Sequence, residues 1–131
     1  MRISRFYPLT FLVVLFVAII CLIPIPDPPL KDVPLIDKWT HMALFGGVCS
    51  VVLFELTLNG LLRTPCKWIA PVESILYGGL IEIMQSTLTT CRFGDWWDFV
   101  ADAIGVAIAF PIAYLVCHWI EKRYGLGKPS R

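Results

Sequence analysis

Long apolar stretches, broken by proline-rich or charged punctuation, leave this chain few folds to choose from. The first runs from Phe6 to Ile23 and stops at Pro24-Ile25-Pro26-Asp27-Pro28-Pro29, where helix continuation is forbidden. A second follows Asp37 and ends at Asn59-Gly60, a sound helix stop. A third opens at Pro71, a residue suited to a first helical turn, and a fourth follows Asp95. Each is about 18 residues or more, the length that crosses a bilayer. The expected fold is therefore all-α: a four-transmembrane-helix bundle with spans at about 6–23, 37–59, 71–89 and 95–120, forming a single domain over 1–131.

Composition agrees. The chain is 57% hydrophobic and only 16% charged, with a mean hydropathy of +0.73; a soluble domain carries about a quarter charged residues. The expected partner is the lipid bilayer, and no basic groove for nucleic acid is present in the pattern. The first span has no small-x-small cleavage site and reads as a retained helix. Five cysteines include no CxxC pair, so neither a zinc knuckle nor a disulfide framework is expected. Cys21 and Cys91 fall toward the same membrane face in this topology, which leaves room for a disulfide between them.

Basic residues set the expected orientation. Arg2, Arg5, Arg63, Lys67, Lys122, Arg123, Lys128 and Arg131 fall on one side, against Lys31, Lys38 and Arg92 on the other. Positive-inside bias puts both termini in the cytoplasm.

Under that topology three helices present polar residues at the same outer end. Asp37, Lys38 and His41 open the second span. Gly78, Glu82, Gln85 and Thr89 line one face of the third, and Arg92, Asp95, Asp98, Asp102 and Gly105 lead into the fourth. Helix capping accounts for part of this: Asp37 and Asp95 suit N-caps, and Asp98 suits a third helical position. Glu82 and Asp102 cap nothing. Each lies roughly 10 Å inside its helix end at 1.5 Å per residue, where a carboxylate costs up to roughly 2.5–3.5 kcal/mol at the bilayer centre. An interhelical hydrogen-bond network is one reason to keep them there; a binding or catalytic site open to the outer surface is the other. Small residues, among them Gly46, Gly78, Ala101, Gly105 and Ala109, favour close helix approach on the same faces. Trp39, Trp96, Trp97 and Phe99 form an aromatic collar of the kind that anchors at a membrane interface. His118 and Glu55 fall toward the cytoplasmic ends, where a structural role is expected.

The ordered set Asp37-Lys38-x-x-His41-x-x-x-Phe45, Glu82-x-x-Gln85 and Arg92-x-x-Asp95-x-x-Asp98-x-x-x-Asp102-x-x-Gly105 resembles the VanZ-like family of bacterial membrane proteins, from about Asp37 to Ala109. Many members carry Asn where this chain has Asp102. The resemblance implies a small multi-pass protein of the bacterial cytoplasmic (inner) membrane. The family takes its name from a protein associated with resistance to the glycopeptide antibiotic teicoplanin, and it implies no defined reaction.

Two functions are therefore carried forward. In the first, the outer-face site binds or acts on an envelope lipid-linked or phosphate-bearing substrate. Lys38, Arg92, Asp37, Gln85 and Asp95 would contact substrate, while Glu82, Asp98, Asp102 and His41 would supply acid–base chemistry or hold a divalent cation. In the second, the protein is a non-enzymatic accessory or binding protein linked to glycopeptide tolerance. A proton-coupled transporter fits poorly, because the fourth span below Asp102 reads Ala103-Ile104-Gly105-Val106-Ala107-Ile108-Ala109-Phe110 with no polar relay.

Overall fold

The computed structural model describes residues 7–23, 32, 34–89 and 95–126. It is all-helical, with α1 over Pro8–Leu22, α2 over Ile36–Leu58, α3 over Ile69–Leu88 and α4 over Trp96–Tyr124. Most of the proline connector, together with Lys31, Cys91, Arg92, Lys128 and Arg131, lies outside the described residues, so the expectations resting on them are not addressed by the fold.

The helix ends follow local chemistry, with three departures from expectation. The segment before α3, read from sequence as a plain loop, contains a 3-10 helix over Pro65–Trp68, started by Pro65 and by the Thr64 hydroxyl accepting from the Cys66 amide. Asp37 is not the cap of α2. That position falls to Leu35, in the left-handed region at φ 58°, and Asp37 sits in the first turn. The fourth helix continues a turn beyond Ile120 and ends where Gly125 turns left-handed at φ 64°. Asp95 does cap α4 as expected, its carboxylate accepting from the Trp97 amide at 3.0 Å.

Side-chain contacts fix the helix directions. Glu55, near the end of α2, accepts from the Leu9 and Thr10 amides at 2.7 and 3.0 Å and from the Thr10 hydroxyl at 2.6 Å. A buried carboxylate from one helix thus satisfies the free N–H groups at the start of another, where the helix dipole favours negative charge. At the far end of α1, Gln85 of α3 donates to the Cys21 carbonyl at 2.7 Å. These contacts run α1 and α3 one way and α2 and α4 the other, in up-down order.

Helices α2 and α4 cross most closely where side chains are smallest. A methyl on Gly105 would sit 2.7 Å from Met42 Cα, and one on Gly46 would sit 3.1 Å from Ala109 Cβ. Phe45, Val48, Leu53 and Ile81 fill the apolar interior. Buried with them are Thr57, Ser74, Glu82, Gln85 and Asp102, while Phe11, Leu12, Phe16, Ile108, Ile112 and Leu115 face outward. Ionisable groups are thus buried beside an apolar core, while many large apolar side chains face outward. Two helices, α2 and α4, are long and apolar enough to cross a membrane. Helix α1, at 15 residues, falls short of the roughly 20 that span on their own.

Candidate functional site

Four of the residues singled out from sequence meet at one end of the bundle. His41 projects from the second turn of α2, Glu82 from α3, and Asp98 and Asp102 from the first two turns of α4. His41 and Asp102 share a hydrogen bond, Nδ1 to Oδ1 at 2.8 Å. Glu82 Oε1 lies 3.7 Å from the same nitrogen, and Asp98 Oδ2 lies 3.7 Å from Nε2 on the other side of the ring. One imidazole therefore stands among three carboxylates from two helices. Phe45, one turn along α2, stacks on it with centroids 5.9 Å apart and limits the tilt of the ring.

The group is enclosed. Asp102 has no exposed surface, and His41 and Glu82 retain 6% and 8% of theirs. Room for Asp102 comes from Gly78: a methyl there would lie 2.7 Å from Asp102 Oδ2. The sequence placed Gly78 as a packing residue beside Glu82; its closest partner is across the bundle. Glu82 is tied to the start of α4 through Oε2, which accepts the Asp95 amide at 2.9 Å. Its other oxygen, Oε1, and Asp102 Oδ2 are buried without a hydrogen-bond partner among the described residues. Buried carboxylate oxygens left this way are uncommon and costly.

Lys38 closes the outer side. Its ammonium donates to Asp37 and Asp95 at 2.8 Å each and, most closely, to Asp98 Oδ1. The lysine holds the Asp95 carboxyl below the ordinary carboxylate range, helped by the Trp97 amide. With three carboxylates around it, Lys38 has little capacity left for a ligand phosphate. Gln85, expected among the substrate contacts, donates instead to the Cys21 carbonyl of α1, and Arg92 lies outside the described residues. Glu55 is the residue whose specific task the sequence did not reveal; a buried acid with no nearby charge was the available signal.

Access comes from the side. A cavity of about 400 Å³ between α3 and α4 is lined by Gly79, Glu82, Ile83, Asp95, Trp96 and Phe99. Glu82 is the one member of the His41 cluster among its lining residues, and its Oε1 is itself buried. A larger cavity of about 670 Å³ between α2 and α4 is lined by Met42, Gly46, Ser50, Gly105 and Ile108 and contains no acid. His41, Glu82 and Asp102 also offer one nitrogen and two oxygen donors within 4.8 Å of one another, a set that suits a metal ion. Compared with family models, curated proteins and solved structures, the chain shows no significant match.

Proposed function

We propose that this chain is a small four-span membrane protein of VanZ-like type, with both termini cytoplasmic, in a bacterial inner membrane. Its outer-face site binds or acts on an envelope lipid carrying a phosphate or a similar anionic group. The observation that carries this reading is that Glu82 belongs both to the buried His–carboxylate cluster and to the lining of the cavity between α3 and α4. A lipid-linked ligand needs that combination: an apolar path for its chain and a polar terminus for its headgroup.

The membrane reading is supported by the many large apolar side chains that face outward, Phe11, Phe16, Ile112 and Leu115 among them, together with ionisable groups buried in the interior. The orientation rests on the placement of Lys and Arg. Within the site, Glu82 is the group nearest the cavity and the candidate base, while His41 and Asp102 form the deeper pair that would relay or hold a proton. Trp96 and Phe99 flank the mouth.

The test is ligand binding in phosphatidylcholine nanodiscs. A long-chain prenyl phosphate is expected to bind saturably and better than the prenyl alcohol, with Trp fluorescence as the readout. Glu82→Gln is expected to abolish the preference while leaving membrane levels unchanged. Equal binding of phosphate and alcohol would overturn the reading.

A further inference from the structure

Among the described residues the cluster is strongly anionic. Glu82, Asp98 and Asp102 crowd His41, and Lys38 is shared among Asp37, Asp95 and Asp98. If Lys38 is assigned to Asp98, the carboxylate it approaches most closely, Glu82 and Asp102 remain as two carboxylates with one imidazole between them. In a low-dielectric interior that charge must be compensated, by protons held on the group or by a bound cation. The same imbalance would repel the anionic headgroup proposed as the ligand.

The geometry matches one kind of cation. Around an ion about 2.1 Å from each donor, tetrahedral ligand atoms stand roughly 3.4 Å apart. His41 Nδ1 lies 2.8 Å from Asp102 Oδ1 and 3.7 Å from Glu82 Oε1, distances that bracket this value. Glu82 Oε1 is also one of the two buried oxygens without a hydrogen-bond partner, and it is aimed at His41. On the opposite edge of the ring, Nε2 faces Asp98 Oδ2 at 3.7 Å. At 3.7 Å this is an approach and not a hydrogen bond; drawn closer, the carboxylate would accept the second N–H of a metal-bound imidazole and fix its tautomer.

We infer that His41, Glu82 and Asp102 form a binding site for one divalent first-row metal ion, with Asp98 as the carboxylate that orients His41. The ion displaces the Nδ1 proton to solvent and balances the two carboxylates. A nitrogen donor favours Zn²⁺ or Mn²⁺ over Ca²⁺ or Mg²⁺, and the absence of a thiolate from the set disfavours softer ions. Three protein donors leave a fourth position of a tetrahedral set free, and an anionic oxygen of the ligand would take it. This inference rests on the cluster being a functional site, and it gives that site a way to attract an anion.

The test counts metal without any lipid ligand. The full chain, purified in detergent and stripped with chelator, is dialysed against Zn²⁺ or Mn²⁺ and assayed by elemental mass spectrometry. About one ion per chain is expected, with an accompanying rise in Tm. Glu82→Gln and Asp102→Asn, both near-isosteric, are expected to lose the ion while eluting as folded protein. Asp98→Asn is expected to weaken binding about 10–100-fold without abolishing it. No stoichiometric ion on the wild-type chain, or equal binding by Glu82→Gln and Asp102→Asn, would overturn the site. Should the wild-type chain bind metal but not prenyl phosphate, the ligand reading fails while the metal site stands on its own stoichiometry.

Discussion

His41 and Asp102 are hydrogen-bonded across the α2–α4 interface at 2.8 Å, in a pocket where Asp102 is wholly buried. The pair lies one turn above the crossing at which Gly105 lets α4 reach the backbone of α2. Close backbone approach and the polar contact therefore depend on each other.

His41→Phe fills the imidazole volume but leaves Asp102 without its partner. Stranding a buried carboxylate is expected to lower stability by about 3–5 kcal/mol. Asp102→Asn keeps an acceptor oxygen for His41, and its expected loss is nearer 1–2 kcal/mol. Unfolding by SDS titration in mixed micelles checks both, and equal losses would argue that the pair is not the contact that matters.

Glycine substitutions separate close approach from simple helix propensity. Gly105→Ala places a methyl against the Met42 backbone, whereas a methyl on Gly47 meets nothing within 4 Å. The first is expected to destabilise by about 1–3 kcal/mol, and the second to be neutral or stabilising by up to about 1 kcal/mol. The same unfolding assay gives the ordering.

The contrast between these glycines marks how much could be read from sequence. Four apolar blocks and their punctuation gave the helices to within a few residues, because span length and proline chemistry act locally. The convergence of His41, Glu82, Asp98 and Asp102 followed from helical spacing plus alternating helix direction. Gln85 and Glu55 did not follow, since each serves α1 mainly through backbone groups, the Cys21 carbonyl and the Leu9 and Thr10 amides, which no side-chain pattern announces. Asp37 looked like a cap by residue type, but the Lys38 ammonium holds its carboxylate and the chain enters the helix through Leu35. The role of Gly78 as the space for Asp102 depends on the rotation of α3 against α4, which spacing within one helix does not specify.

Glu55→Ala removes the acceptor for the Leu9 and Thr10 amides. Leaving buried donors unpaired is expected to destabilise the α1 contact by about 1–3 kcal/mol. Hydrogen exchange should then accelerate at the first turn of α1 and remain unchanged at the start of α4. Uniform acceleration would indicate global loosening instead.

Asp95 gives a prediction in pH. Lys38 depresses its carboxyl, so its stabilising contribution is complete above the ordinary Asp value of 3.8 and is lost as pH falls through the depressed folded value. Lys38→Met should move the Asp95 titration back up toward that ordinary value. A carbon-detected NMR titration of the Asp95 carboxyl reads this directly, and an unmoved midpoint would contradict the ion pair.

The central claim is that the buried cluster is a functional site and not only an interhelical fastener. Unfolding stability with chelator present, and prenyl phosphate binding without it, should be measured on one preparation of Glu82→Gln in nanodiscs. Stability within about 1 kcal/mol of wild type, together with lost binding, is the expected result. Binding retained, or binding and stability lost together, would contradict it.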